Sequence, residues 1–589
     1  MTTQLTTDLL IVGGGTGGTA AAIQAARRGV STILVSEFDW LGGMLTVAGV
    51  AAPDGNELAA WQTGFWGEFL GELQQKQAGG LDHSWVSLFT YDPRVGAKIF
   101  ADWVKELSNL TWIAGQTPVE VIRQENRILG VKFQDYQINA KITLDGTELG
   151  DLLALGEIPH RWGWEWREEF GELSAPVSSN ELTEQYPVQS PTWVFIAQDY
   201  GKDPAPSLSP LPSYDPTCFQ DAWKNYGVEM FLNYGRLPGD RLMINWPIAG
   251  NDYGVNLNRL IGSPSEKQAF LAEAYEHSYN FAYFLQQESG KNIGLAENIF
   301  PQQNPNYHSA FALHPYYRES RRLKGKVTIT EQDLLPQSGG LVAALPLFDN
   351  RVNAIAIGDY ANDHHYPGIE FPLLPKSLRW GGRWTGTPFT IPYQAIIPEN
   401  LEGFLVCEKN ISVSHIANGS TRLQPVVMNL GQAAGMAAAL CIELNCQPQN
   451  LPVRQLQEAL LTDKLAPSAV IPCYNLPPDH PDWLSWQRHY LDHPEDYPVD
   501  GNCPCPTMDY QPRYTKLFTG IFEKIGEQDY RFTEKNTDEE NPKIWQLITE
   551  RPEVNEQLLK LENQQLISVL GRSNLGGEWL LADKIMISI

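Results

Sequence analysis

Apolar residues lie along this chain in short blocks whose spacing changes from strand-like to helix-like. Residues 9–12 form an unbroken apolar block. It is too short for a helix and lacks the polar alternation of a half-buried strand, which predicts a strand covered on both faces of a parallel sheet. Alanine-rich residues 19–29 then have helical character, and 30–35 give a second apolar strand. Toward the other end, 426–444 reads as a helix with small residues at Gly431, Ala433, Ala434 and Gly435. Residues 514–589 return to strand patterns around 518–523, 529–533, 544–548, 566–571 and 579–585, with a helical stretch at 553–561 between the third and fourth. That order of elements predicts an OB-like small barrel. Before it, residues 467–512 carry ten prolines and read as an extended connector.

The turn after the first strand gives this pattern a chemistry. Gly13, Gly15 and Gly18, with Thr16 and Gly17 among them, occupy the glycine positions of Gly-x-Gly-x-x-Gly. The first permits a tight turn, the second lets the backbone approach a pyrophosphate, and the third lets helix pack on strand. The helix that follows points its free amides and positive dipole end at the phosphates. The second strand leads to Glu37, where the motif places an acid that accepts from a ribose 2′-hydroxyl. A phosphorylated ribose would be repelled there, so FAD or NAD is expected over NADP.

Composition narrows the classes. With 589 residues the chain exceeds a single core, and two or three domains are expected. The net charge of −26 argues against nucleic acid, whose phosphates are bound by lysine and arginine, and offers no attraction to anionic membranes. No run approaches the ~18 apolar residues of a membrane span. The first strand starts too early to leave room for a signal peptide, so a cytoplasmic location is expected. Seven scattered cysteines do not form a disulfide framework, and Cys503 and Cys505 lack the second pair or histidines of a metal site; no metal is expected. No internal repeat or low-complexity tract is present.

Several segments identify a family when taken in order. They are Trp40-Leu41-Gly42-Gly43-Met44-Leu45-Thr46, residues 143–155, Tyr316-Tyr317-Arg318-Glu319-Ser320-Arg321-Arg322, and residues 411–435, which run through Ser412-Val413-Ser414-His415 to Gly431-Gln432-Ala433-Ala434-Gly435. Over roughly residues 1–460 the chain resembles the FAD-dependent oxidoreductase family, whose fold is similar to glutathione reductase and the flavoprotein of fumarate reductase. The resemblance implies an α/β fold with a discontinuous Rossmann-like FAD domain (1–155 and 395–460) and an inserted α+β substrate domain (156–394). The connector (461–513) and the OB-like domain (514–589) follow. It also implies FAD contacts at Gly42, Gly43 and Met44, and an adenine contact at Val119. Asp145 and Gly146 are further expected FAD contacts, standing where the family usually has an Ala-Thr-Gly-like turn that closes over the cofactor; here the run is Leu-Asp-Gly-Thr. The small residues Gly431, Ala433, Ala434 and Gly435 are expected to let the isoalloxazine lie against a helix N-terminus, whose dipole favours the charge of a reduced flavin, with Gly431, Gln432 and Ala433 as cofactor contacts.

The inserted region is rich in aromatics, among them Trp162, Trp164, Trp166, Trp193, Trp246, Tyr253, Trp380 and Trp384, which can form core or stack on a substrate. His415 and Arg422 precede the flavin-facing helix and are the leading active-site candidates. His364 and His365 lie in a loop-like turn and suit proton transfer near neutral pH. Arg318 heads an arginine cluster whose forks suit a carboxylate or phosphate, or a structural ion pair. The expected function is oxidation of a small organic substrate by hydride transfer to FAD. His415 or His364 would act as acid or base, and Arg422 or Arg318 as clamp. Two other readings remain open: a structural flavin in a binding or assembly protein that recruits a partner through residues 514–589, and a reductase fed by an external electron donor. No second glycine turn for NAD(P)H is present.

Overall fold

A computed structural model describes residues 2–302, 304–337, 339–373, 377–380, 383–505, 516–535 and 542–587; the Trp380 and Trp384 side chains and residues 506–513 of the connector lie outside what is described. Its central sheet is built from β1 (Thr3–Val12), β2 (Thr32–Val35), β3 (Leu110–Ile113), β4 (Glu120–Gln124), β5 (Arg127–Lys132) and β6 (Tyr136–Asp145). They run in the order β3-β2-β1-β6-β5-β4. β1 pairs in parallel with β2 and β6, and a strand more than 250 positions later, Phe404–Val406, pairs in parallel with the end of β6. Leu9, Leu10, Ile11 and Val12 are almost completely buried, as expected for a parallel strand covered on both faces.

The helix after the glycine turn is α1 (Thr16–Arg27). It begins three residues before the position read from the alanine pattern, because Thr16, Gly17 and Gly18 form its first turn. Their helical role is set by packing rather than propensity. The long helix Gln424–Glu443 crosses α1 so closely that a Cβ on Gly431 would lie 2.2 Å from the Gly17 carbonyl oxygen, and one on Gly435 2.3 Å from that of Ala21. The small-residue stripe is therefore a helix–helix seam. By length and composition Gln424–Glu443 could cross a membrane, yet 94% of its apolar window is buried inside the protein.

The middle of the chain forms an antiparallel sheet in the order Ile293–Leu295, Phe195–Asp199, Arg241–Ile244, Arg236–Leu237. The helix Pro264–Glu288 packs beside it and starts with Ser263 and Glu266 in a reciprocal capping box. Trp193 and Trp246 are buried core residues, whereas Trp166 is partly exposed.

Residues 467–505 differ from the expected extended connector. Val470, Ile471, Cys473 and Tyr474 are buried, and a helix spans Trp483–Asp492. The Gln487 side chain accepts from the Val470 and Ile471 amides and donates to the Ile471 carbonyl. Prolines here interrupt regular elements, but the apolar residues between them supply a face that the core covers.

The last segment closes into a barrel of five strands, Lys516–Gly526, Asp529–Glu534, Ile544–Ile548, Trp579–Ile587 and Gln565–Asn574. The helix Pro552–Lys560 falls between the third and fourth strands in sequence. Phe522, Phe532, Trp545 and Leu580 are buried in its core. One barrel face is used within the chain: Ile548 and Leu581 join the main core, and the Asn574 amide donates to Asp82 and to the Ser84 carbonyl.

Candidate functional site

The glycine turn and the end of β6 interlock backbone to backbone. Gly13 has φ +106°, and a Cβ there would fall 2.2 Å from the Gly146 oxygen; one on Gly18 would fall 2.2 Å from the Gly13 oxygen. Side chains at these positions would separate strand from helix. Gly42 and Gly43 also have positive φ, and a Cβ on Gly43 would lie 2.6 Å from the Thr16 amide nitrogen. The Thr16 hydroxyl donates to the Gly42 carbonyl at 2.9 Å, binding this second glycine pair to the helix start.

Around this crossing lies a cavity of about 340 Å³, within the range of ligand pockets. Gly13, Gly15, Gly43 and Gly146 line it, Glu37 and Pro118 stand at one side, and Trp193 and Tyr317 come from the middle of the chain. The residues fit an adenine dinucleotide: a glycine cradle, the positive end of α1, and a carboxylate for the ribose.

Not every expected contact belongs to that lining. Val119 is 59% exposed and its amide donates to Lys132, while Thr117 and Pro118 line the cavity in its place. Met44 is fully buried and outside the lining. Gly431 is taken up by the helix seam, and Ala433 is buried. The Gln432 side chain accepts from the Phe65 amide and donates to Gln24 and the Ala466 carbonyl. None of these three lines the cavity among the described residues. Asp145 points away too: its carboxylate accepts from the Thr147 amide and hydroxyl and the Leu152 amide. That ties the turn to the next helix and gives a reason for the departure to Leu-Asp-Gly-Thr.

A buried charge cluster next to the cradle was not singled out from the sequence. Lys409 Nζ lies 2.5 Å from Glu148 and 3.3 Å from Glu408, and the other Glu408 oxygen accepts from the Gly17 amide at 2.7 Å. Burial pushes the Glu408 carboxyl up to about 7 against the pull of Lys409. Its signal was two charged residues placed directly after the apolar block 404–407.

Behind the cavity wall, the structure gathers all four candidate catalytic side chains. Trp193 and Tyr317 line the cavity, and their chain neighbours Thr192 and Tyr316 bond within the cluster behind. Arg422 donates to the Tyr316 hydroxyl at 2.6 Å and to Asp363 at 2.9 Å. Arg318 donates to the Ser190 carbonyl and lies 3.2 Å from Asp252, and His365 bridges Asp252 and Asp363, 2.8 Å from each. His415 opens the helix His415–Thr421 after the capping residue Ser414. Its Nδ1 is 2.9 Å from Glu319 and its Nε2 is 2.6 Å from the Tyr366 hydroxyl. That hydroxyl is also 2.7 Å from His364 Nδ1. Arg318 is thus engaged in an internal ion pair, the alternative already open for it.

The neighbourhood of Arg318 and Arg422 also holds buried polar atoms without a hydrogen-bond partner: Nε of both arginines, both amide atoms of Gln189 and Asn362, and Asn418 Oδ1. Each such atom costs about 1–3 kcal/mol, and their clustering marks a place suited to a polar ligand.

Glu172 borders this region. It is fully buried and accepts from the Ser414 hydroxyl and the Glu331 amide, and burial pushes its carboxyl up to about 7 against those donors. A carboxyl raised on folding adds stability that is complete below its unfolded pKa of ~4.4 and is lost as pH rises through the folded value. Glu172→Gln is expected to remove that slope. From pH ~5 to ~8, wild type should lose up to about 3 kcal/mol relative to the variant in urea melts; parallel profiles would refute the assignment.

The family model described as FAD dependent oxidoreductase matches residues 8–460, and no curated protein matches the chain. Among solved structures, a geranylgeranyl bacteriochlorophyll reductase-like protein from Thermoplasma acidophilum is 11% identical with a TM-score of 0.33, over 78% of this chain and 84% of that one. Glycerol-3-phosphate dehydrogenase from Bacillus halodurans, complexed with FAD, is 16% identical with a TM-score of 0.17, over 24% of this chain and 34% of that one. With a family match spanning most of its length and a cradle that fits an adenine dinucleotide, the chain belongs to the FAD dependent oxidoreductase family, and its cofactor is FAD.

Proposed function

We propose that this protein oxidises a small, polar organic substrate by hydride transfer to FAD, with the substrate bound between the cradle and the cluster of Arg318, Arg422 and His415. The observation that carries this reading is the set of unpaired buried polar atoms beside two arginines, since a ligand bearing hydroxyl or carboxylate groups would satisfy them. Bound FAD supplies the hydride acceptor. Gly13, Gly15 and Gly146 hold its phosphate-bearing portion at the positive end of α1, and Glu37 receives its ribose hydroxyls. Arg422 Nε orients an acidic or hydroxyl group of the substrate. The buried surroundings keep out water that would weaken these contacts. His415, joined to Tyr366 and His364, handles the proton that accompanies the hydride.

The test is anaerobic mixing of purified protein with amino acids, hydroxy acids, sugars and aromatic metabolites while the flavin absorbance is followed. One polar class should bleach the band. His415→Gln should keep its flavin and bleach ~10²- to 10⁴-fold more slowly, the usual worth of a positioned acid or base. Unchanged bleaching in the variant would remove His415 from the reaction. A band that no compound bleaches would favour the structural-flavin reading.

A further inference from the structure

The unpaired polar atoms beside Arg318 and Arg422 are of both kinds. Among the described residues, Arg318 Nε, Arg422 Nε, Gln189 Nε2 and Asn362 Nδ2 are donors without a partner, and Gln189 Oε1, Asn362 Oδ1 and Asn418 Oδ1 are acceptors without one. They share one neighbourhood. Gln189 precedes Ser190, whose carbonyl accepts from Arg318, and the Asn418 amide donates to the Arg318 carbonyl. Asn362 precedes Asp363, which accepts from Arg422. Both guanidinium groups face the Tyr316 ring, 5.0 and 5.9 Å from its centroid. Their charges are already matched, Arg422 by Asp363 at 2.9 Å and Arg318 by Asp252 at 3.2 Å.

A second cavity, of about 360 Å³, reaches this neighbourhood from the barrel side. Tyr360 lines it, and the Tyr360 hydroxyl lies 3.5 Å from Asp363 Oδ2. Four carboxylates, those of Asp54, Glu57, Asp359 and Glu550, line it as well, together with the ring of Trp579. Glu550 and Trp579 belong to the last segment, so the barrel supplies part of the wall. Burial, with the negative charges of Glu57 and Asp363, pushes the Asp54 carboxyl up to about 7. An anion brought into this space meets the same repulsion.

These two surroundings select against ions of either sign. A carboxylate is repelled on the way in and only accepts, which would leave three buried acceptors unanswered. An ammonium only donates, and it ends beside two arginines. A zwitterion would bury two charges where every arginine already has its own carboxylate. A hydroxyl group suits both places, because it donates to a carboxylate or amide oxygen and accepts from a guanidinium or amide nitrogen. The rings of Tyr360 and Trp579 can cover the apolar C–H face that such a molecule presents.

We infer that the ligand of this site is a neutral polyhydroxylated molecule, a polyol or a carbohydrate, bound at the arginine cluster and admitted through the carboxylate-lined cavity. This deepens the proposed function and rests on it for the reaction. In that reaction one carbinol carbon loses its hydrogen as a hydride to the oxidised flavin, the hydroxyl proton passes to His415, and a carbonyl forms.

The test is anaerobic titration calorimetry of the full-length, FAD-loaded protein with three matched sets: neutral polyols with mono- and disaccharides, the sugar acids derived from them, and the corresponding amino sugars. The tightest ligand is expected to be neutral, with its acid and amino counterparts at least ~10-fold weaker. Asn362→Leu should weaken that ligand by ~10-fold with flavin content unchanged; if that variant does not fold, Gln189→Leu takes its place. A tighter acid or amine, no binding by any neutral member, or an affinity that the variant leaves unmoved overturns the inference. Flavin absorbance of the same samples separates the ligand class from the oxidation. Binding of a polyol without bleaching supports the class and sinks the oxidation, whereas bleaching by acids alone supports the oxidation and sinks the class.

Discussion

Gly15→Ala is expected to yield protein with less than about a tenth of the wild-type flavin content, with a fold weakened by ~1–3 kcal/mol from overpacking. Gly15 has φ −61° and ψ 178°, an extended conformation that any residue can adopt. Space is the constraint: a Cβ there would lie 2.9 Å from the Gly146 carbonyl oxygen and 2.5 Å from Glu408 Oε2. Neither neighbour yields easily. Gly146 is interleaved with Gly13 and Gly18, and Glu408 is held by the Gly17 amide and Lys409. The methyl group must push the start of α1 away from β6 and distort the cradle where the phosphates bind. Gly71→Ala is the control, because Gly71 lies within the helix Gly64–Lys76 and, apart from that helix's own backbone and its chain neighbours, no heavy atom stands within 4 Å of the added carbon. That variant should retain full flavin and gain about 0.5–1 kcal/mol from helix propensity. Flavin absorbance per chain and thermal melts read both. A Gly15→Ala protein with full flavin and an unaltered melt would sink the cradle assignment.

What was legible in the sequence was what local pattern determines. The block 9–12 became β1 because an unbroken apolar run has few other homes, and the alternating strands after residue 514 close into a barrel whose interior they supply. The glycine positions were legible because backbone contact admits no other residue. Non-local choices were hidden. The stripe Gly431, Ala434, Gly435 suits a flavin ring or a second helix equally well, and only the crossing with Gly17 and Ala21 shows that α1 takes it. Residues 470–474 lie among prolines, yet are buried against elements far away in sequence. His415 and Arg422 stand out in the sequence as candidates only by their place before the long helix. Their partners are spread from Trp164 to Tyr366, and no spacing rule links them. Glu319 was visible as a residue of the arginine cluster, but its pairing with His415 depends on how two loops meet.

Arg322→Met is expected to destabilise the protein by at least about 3–5 kcal/mol, the cost of leaving a buried charge without its partner. Arg322 is completely buried. It donates to both oxygens of Glu165 and to the Val413 and Gly163 carbonyls, and lies 3.1 Å from Glu319. Methionine fills similar volume but removes the guanidinium that lies between two buried carboxylates. Burial acts to raise the Glu165 carboxyl, and Arg322 outweighs it, holding the group below the usual range. A carboxyl lowered on folding contributes stability that is present above its unfolded pKa and lost as pH falls through the folded value. The deficit of Arg322→Met should therefore be greatest near neutral pH and narrow toward pH ~4, where Glu165 takes up a proton. Combining it with Glu165→Gln should recover part of the loss, so the double variant is more stable than the sum of the single changes implies. Urea melts of the four proteins at two pH values measure this coupling. Additive losses with no pH dependence would mean that Arg322 acts through packing alone. Arg322→Lys separates charge from shape, because an ammonium restores the countercharge but not the fork that spans Glu165 and two carbonyls; it should recover only part of the stability. Since Glu165 accepts from the His415 amide and Glu319 lies against its ring, a protein that folds as Arg322→Lys should still bind flavin and lose speed in flavin reduction, which ties the stability of this ion cluster to the placement of His415.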